Sequence, residues 1–474
     1  MTAPPDTLPW AAYRPGAGPP RDEAIDPLGV WRPHVAAALA GIDRPDLRAL
    51  SEAIADDVRR AGLRFPIDGG TEAFLVDPIP RVLTAQEWAT VEAGVAQRAR
   101  ALDAFVADVH GARGAVADGV IPERVIATAE HYEPAAGRYA PPAGVWVALA
   151  GLDLVQTPDG SFQVLEDNAR TPSGIAYALA ARALIQDVLG VDDEALPARS
   201  LDGTMALLGA TLAAAAPPDR GVDADDAHLV VLTDGPTSSA YWEHRTVAVH
   251  LDAPLVTSED LDLDGDRLVL RDAPQRPIDV VYRRTDASAL EAPGHRLLLT
   301  ALAAGTVGVV NAFGTGVADD KLVHAYVEDL IRHFLGEEPL LRSVPTFDLV
   351  RPDHLEQALD RLDQLVVKPR GGSGGAGVVI GPHADRATID ATRAEVRAAP
   401  ELYVAQELVE LSTHPTVIDG ALAPRRVDLR PFAVTTPGAT RVLPGGLSRV
   451  ALKEGSMVVN SSQDGGAKDT WVLR

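Results

Sequence analysis

The sequence predicts a mixed α/β (α+β) fold: a helical N-terminal region, then strands and helices, with a second unit whose alternation favours a mostly parallel sheet. Three observations lead there. Thr84–Val109 places Trp88, Val91, Val95, Leu102, Phe105 and Val109 on one helical face. From Val145 the apolar period shortens to that of strands, in Val145–Leu149, Leu152–Gln156 and Phe162–Glu166. Between Leu229 and Val310 short apolar runs alternate with helical stretches.

Taken in order, residues 1–33 are rich in Pro and Gly, with few apolar anchors before Trp31, and read as an extended arm over the surface. Val35–Gly62 carries the spacing of two helices broken near Arg44–Pro45, and Phe65–Pro80 is loop-like with short extended pieces. The long helix opens on a capping box, Thr84 with Glu87, and ends at Gly111. A TPDG turn at Thr157–Gly160 joins two of the strands, and helices follow at Ile175–Leu189 and Asp202–Ala216, with a break at Pro217–Gly221. Strands Leu229–Leu232, Pro254–Val256, Val280–Tyr282 and Val307–Val310, with helix Arg296–Ala304, make a second α/β unit. Open sheets hold ligands at the carboxyl ends of their strands, which gives Tyr282, Arg283, Arg284 and the Thr237–Trp242 loop a functional option. The last third reads as helices Asp319–Phe334, Asp353–Leu362 and Ala384–Ala399. Its strands are Leu365–Lys368, Gly377–Ile380, Tyr403–Gln406, and two near Arg426–Val434 and Thr440–Leu443.

With 474 residues the chain is long enough for two to four structural units. It has no cysteine, which removes disulfides, thiol nucleophiles and zinc–thiolate sites. The nearly apolar stretch Met205–Ala216 is too short to span a bilayer, and the N-terminus lacks a positive region followed by an apolar one, so the expected location is cytoplasmic, with no membrane partner. A formal net charge of −24 argues against a nucleic-acid surface, though not against a small anion in a locally basic pocket. Lysine is confined to Lys321, Lys368, Lys453 and Lys468, and asparagine to Asn168, Asn311 and Asn460. Such avoidance fits a G+C-rich genome, and the few that remain mark places where Arg or Asp will not serve.

The chemistry gathers in a few stretches. In LEDNARTPSGIAY (Leu165–Tyr177), Glu166 and Asn168 lie two apart on a strand and so share a face, with Arg170 just beyond. Two oxygen donors beside a cation suit Mg²⁺ next to an anion, and a hairpin would bring Asp153 to Glu166. The plainer alternative is a strand end with acids facing water. LVVKPRGGSGGAG (Leu365–Gly377) delivers Lys368 from a buried strand into five glycines, whose N–H groups can approach phosphate oxygens; the alternative is a flexible hairpin. The lysine precedes the glycines, so this is not a Walker A loop. YVAQELV (Tyr403–Val409) ends an apolar strand in two polar groups that suit an adenine edge, and RRVDLRPF (Arg425–Phe432) puts Asp428 and Arg430 on one face, as a phosphate contact or a surface pair. No nucleophile elbow, Rossmann glycine motif or paired-histidine metal motif is present.

Together EDNARTPSG, VVNAFGTGVADDK, VVKPRGGSGGAGVVIGP, YVAQELVELSTHPT, RRVDLRPF and VVNSSQDGGAKDTWVL resemble the circularly permuted ATP-grasp family, type 2, as do the N-terminal FPIDGGTEAFLVDPIPRVLTAQEW and QRARALDAFVADV. The acidic cluster precedes the lysines, which is the permuted order, shared with the synthetase half of glutathionylspermidine synthetase. The resemblance implies an ATP-grasp fold with an inserted parallel-sheet unit. It divides the chain into an arm (1–33), a helical region (34–140), a metal-ligand part (141–220), a pre-ATP-grasp-like insert (221–310) and a nucleotide-binding part (311–474). It implies Asp153, Glu166 and Asn168 as ligands of two Mg²⁺ ions and Lys321 and Lys368 as nucleotide-binding lysines. Gly371, Gly372, Ser373, Gly374 and Gly375 match the phosphate loop, and Gln406, Glu407 and Val409 the adenine side. Arg430 would contact the transferred phosphoryl group and Arg170 an acyl phosphate. One departure stands out: Gly151 occupies the place where glutathionylspermidine synthetase has an arginine.

The implied activity is ATP-dependent ligation of a small-molecule or peptide carboxylate to an amine through an acyl phosphate. A non-catalytic nucleotide-binding scaffold and a small-molecule kinase are the alternatives. The sequence identifies neither substrate, nor the oligomeric state, nor the roles of Lys453, Lys468 and Asn460.

Overall fold

The computed structural model describes residues 13–15, 21–40, 46–67, 70–218, 226–285, 295–372, 377–457, 459 and 465–474, of which 65–67 and 70–73 are described by backbone alone. The expected break near Arg44–Pro45 lies outside these residues, as do Ser373, Gly374, Gly375 and Asn460.

The central feature is a sheet of eight described strands. In order across it run Arg342–Ser343, Phe162–Asn168, Leu149–Gln156, Ala421–Thr436, Ala439–Ala451, Gly465–Val472 and Val76–Leu83, with Thr413–Ile418 also paired to Ala421–Thr436. It is mostly antiparallel, with parallel pairs at its two ends. Alternation divides its side chains between two cores. Ala150, Leu152, Leu154 and Leu429 meet the helix Ala85–Val109 through Trp88, Phe105 and Val106, while Leu149, Phe432, Val434 and Trp471 meet the helix Ile175–Leu189. Complete burial of side chains such as Trp88 and Phe105 contributes roughly 1.5–3 kcal/mol each. The long helix starts as expected: Thr84 Oγ1 accepts from Glu87 N (3.1 Å) and Glu87 Oε2 accepts from Thr84 N (2.9 Å).

A second sheet, antiparallel, orders Thr346–Asp348, Tyr403–Glu407, Leu365–Pro369 and Val379–Ile380. A third, fully parallel, orders Gly308–Val310, Val280–Arg284, Leu229–Thr233 and Leu255–Val256, and is the expected α/β unit. Beside it lies a small antiparallel sheet of Leu261–Asp264, Arg267–Leu270 and Ala273–Pro277.

Several expectations are corrected. The last of the short extended pieces expected within Phe65–Pro80 is a full strand: Val76–Leu83 is a buried edge strand running parallel to Gly465–Val472. Val145–Leu149 is not a separate strand, since Asp103 Oδ1 takes the Trp146 and Val147 N–H groups (2.7 and 2.8 Å) and pairing begins at Leu149. The helix expected over Asp319–Phe334 is an α-helix only at Val327–Leu335, preceded by 3₁₀ turns at Thr315–Asp319 and Val323–Tyr326. Asp320 Oδ1 takes the Leu322 N–H (2.8 Å), a local bond that competes with the helix, while Asp319 Oδ1 anchors the segment to Ala169 N and Arg170 N (2.5 and 3.0 Å). The strand expected at Gly377–Ile380 shortens to Val379–Ile380.

Candidate functional site

The TPDG turn joins a fully buried strand, Leu149–Gln156, to the partly exposed strand Phe162–Asn168 in the acidic hairpin. Asp153 pairs with Glu166 and Gly151 with Asn168, with a bulge after Asp153. Glu166 and Asn168 therefore share a face, and Asp167 points to the other, where Arg98 of the long helix meets it.

Asp153 is buried and held by two arginines: Arg430 Nε and Nη2 donate to it at 2.6 and 2.9 Å, and Arg449 Nη2 lies 2.8 Å away. Burial alone would raise its carboxyl, but Arg430 and Arg449 outweigh that and hold it below the usual carboxylate range. Arg449 also donates to Asp428, its cross-strand partner, which is fully buried and whose carboxyl burial pushes up. Asp428 thus pairs with Arg449, not with Arg430 at the surface.

Lys321 Nζ stands 3.2 Å from Glu166 and donates to the Gly372 carbonyl. Lys368 donates to Gln406 Oε1 at 2.6 Å, and burial pushes its pKa down to about 8. Gln406 in turn donates to Thr346 Oγ1 at 3.0 Å, while Glu407 pairs with Arg361 through two 3.0 Å contacts. Gly371 is backed by Glu130: a Cβ built there would stand 1.2 Å from Glu130 Oε2, so a side chain at 371 would require the Glu130 carboxylate to move aside.

Most of these groups surround one open cleft of about 130 Å³ between the central sheet and the second sheet. Of the residues singled out from the sequence it brings together Asp153, Glu166, Lys321, Lys368, Gly372, Gln406, Glu407 and Val409. Asn168, Arg170, Gly371 and Arg430 are not among its lining residues. Arg430 reaches it through Asp153 and also donates to Ser173 O at 3.2 Å. Arg170 lies 3.7 Å from Asp319, whose carboxyl burial pushes up to about 6. Asn168 Nδ2 is buried with no protein partner among the described residues. Gly151 packs so closely that a Cβ would meet Pro172, Phe432 and Arg430 Cδ at 3.1–3.4 Å, so Arg430 fills space that an arginine at 151 would need.

Sequence reasoning missed Arg449 and the apolar wall formed by Leu165, Val366, Ile380, Leu408, Leu411, Met457 and Val459. Arg449 carries no motif; only the register opposite Asp428 reveals it. At the strand ends of the parallel sheet, Arg284 Nη1 donates to Pro172 O (2.9 Å) and buried Glu243 accepts from Gly174 N (2.8 Å) and Ala176 N (3.1 Å). That unit thus fixes the turn after the acidic strand. Of the remaining scarce residues, Lys468 is fully buried against Asp77, and Asn311 bonds the Leu149 and Ala169 backbone, while Lys453 is exposed.

The oxygen donors Asp153, Glu166 and Asn168 suit a hard divalent cation, and the first two are now neutralised by side-chain cations of the kind such an ion exchanges with. Two sheets meeting over a cleft lined by two lysines and a carboxylate hairpin fit the ATP-grasp class. The chain belongs to the circularly permuted ATP-grasp family, type 2, whose model matches residues 80–451. An uncharacterized Mycobacterium tuberculosis protein is 41% identical over 464 residues, covering 95% of this chain and 84% of its own length. A Frankia casuarinae protein named as a candidate glutamate–cysteine ligase is 43% identical over 467 residues, 96% of this chain but only 54% of that protein. The solved glutathione synthetase-like effector of Globodera pallida shares the fold at a TM-score of 0.56 and 14% identity, over 91% of this chain and 99% of its own. Among the described residues no helix is long and apolar enough to cross a membrane.

Proposed function

We propose that this chain is an ATP-dependent carboxylate–amine ligase. The observation that carries the proposal is the convergence, in one cleft, of Lys321 and Lys368 from separate elements with the Asp153–Glu166 pair of the hairpin. Family membership supports an ATP-driven reaction, and the Frankia name supports a ligase. Since the chain matches about half of that protein, its glutamate and cysteine substrates are not carried over.

In this reading the apolar wall at Ile380, Val409 and Met457 receives the adenine, and Gln406 and Glu407 bond its edge. Lys321, Lys368 and the glycine loop hold the polyphosphate. Asp153, Glu166 and Asn168 would hold Mg²⁺, which when bound neutralises phosphate charge. A substrate carboxylate attacks the γ-phosphorus, giving an acyl phosphate and ADP, and an amine then displaces phosphate to leave an amide. The chain supplies positioning and charge neutralisation. Arg430, freed from Asp153, would face the transferred phosphoryl group, with Arg170 beside the acyl phosphate.

The test is a metabolite extract incubated with ATP, Mg²⁺ and either the wild type or Glu166→Ala. An ATP-dependent product whose mass equals an acid plus an amine less water, absent with the variant, is expected. A product heavier by one phosphoryl group would establish a kinase instead.

A further inference from the structure

Beneath the cleft, on the opposite face of the acidic strand, lies a pair that the reaction above does not use. Buried Asp167 accepts from Arg98 Nε (2.5 Å) and Nη2 (2.8 Å), and His324 Nδ1 approaches it at 2.7 Å. A carboxylate oxygen at that distance requires a donor, so the histidine proton sits on Nδ1. Arg98 Nη2, 3.1 Å from Nδ1, then donates to Asp167 beside it. Burial lowers the His324 pKa and outweighs Asp167, so the ring is neutral and Nε2 carries a lone pair. His324 is 3% exposed, and Nε2 is buried with no protein partner among the described residues.

His324 lines a small cavity of about 10 Å³, and with Nδ1 committed to Asp167 its Nε2 is the ring nitrogen left to bond there. Glu166, Asp319, Lys321, Lys368 and Gln406 also line it. That is about the room one water needs, and the groups around it are those a buried water bonds. Lys368 uses one N–H on Gln406 Oε1 at 2.6 Å and keeps two. Lys321 is already shared between Glu166 and the Gly372 carbonyl.

We propose that one ordered water in this cavity accepts a hydrogen bond from Lys368 Nζ and donates one to His324 Nε2, making His324 the positioning residue that aims Lys368 at the polyphosphate. The chain of bonds runs from Asp167 through the histidine ring and the water to the ammonium, and no proton is transferred. The proposal rests on the nucleotide-site reading of the cleft.

The test is calorimetric titration of ADP into the wild type, His324→Asn, Lys368→Met and the double variant. Asparagine keeps an N–H where Nδ1–H stood, and with it the bond to Asp167, but removes Nε2. His324→Asn is expected to bind ADP about tenfold more weakly, the scale of one hydrogen bond to a charged group, with its melting temperature near that of the wild type. In the Lys368→Met background it should cost nothing further, because His324 acts only through Lys368. Wild-type affinity in His324→Asn, or additive losses in the double variant, would overturn the proposal. Should His324→Asn not fold, or should the wild type bind no ADP (which contradicts the nucleotide-site reading instead), a high-resolution structure of the ligand-free wild type decides. A water within hydrogen-bonding distance of both Lys368 Nζ and His324 Nε2 supports the bridge, and a dry cavity refutes it.

Discussion

Lys368 is the residue whose chemistry is most exposed to experiment. Burial sets its ammonium near pH 8, whereas an ordinary lysine holds its proton to about 10.5. Bound phosphates favour the protonated form and raise that pKa, so proton uptake accompanies binding. ATP affinity should therefore be constant below about pH 7 and fall as pH rises through 8; a titration series flat from pH 7 to 9.5 would remove Lys368 from the phosphates. Lys368→Ala should weaken ATP binding at every pH, and an unaltered titration would count against its assignment. Glu166→Ala should raise the barrier by about 2.7–4 kcal/mol, a typical loss for one charge-stabilising group, and so abolish measurable ATP-dependent turnover. Its circular dichroism and melting should remain near wild type, because Glu166 is half-buried at a cleft edge. Lys468 makes a contrast. It is fully buried and bonded to Asp77, Ile79 O and Pro415 O, so Lys468→Met strands a buried carboxylate and should cost about 3–5 kcal/mol in urea unfolding. Loss of stability under 1 kcal/mol would show that Asp77 finds another partner.

At the scale of elements, the hairpin Leu149–Asn168 and the turn behind it are the working parts. The turn Thr171–Gly174 is fixed from the parallel sheet by Glu243, which accepts two backbone N–H groups, and by Arg284 on the Pro172 carbonyl. Glu243→Ala leaves those donors and the Arg284 charge unpaired in a buried site, and should lower stability by roughly 3–5 kcal/mol. Because Arg430 also bonds Ser173 O, ATP-dependent turnover should fall in the surviving folded fraction. Turnover per folded molecule equal to wild type would mean the turn does not position the site. The short 3₁₀ turns at Thr315–Asp319 and Val323–Tyr326, where a continuous helix is expected from the periodicity, have a functional consequence. They bring Lys321 to the cleft while Asp319 and Asp320 anchor the neighbouring backbone.

For the whole molecule, the parts legible in the sequence are those encoded by neighbours in the chain. The approach of Asp153 to Glu166 followed from a turn between an apolar run and an alternating one, Lys368 from a buried strand running into glycines, and the long helix from its cap and period. What was not legible depends on contacts far apart in sequence. Asp167 meets Arg98 and His324 across 69 and 157 positions, and Arg449 meets Asp428 only through sheet register. The full length of the edge strand Val76–Leu83 was hidden because its prolines and charges imitate a loop, and only its pairing with the C-terminal strand makes it part of the core. These long-range contacts back the acidic strand from Asp167 and set the Asp428–Arg449 pair in the cleft wall. The ligase claim is tested most directly by multiple-turnover ADP release from ATP and Mg²⁺ with a pool of carboxylic acids, with and without a pool of amines. Sustained ADP release that requires both pools is expected. Equal release without amines, or none with either pool in a protein that binds ATP, would contradict it.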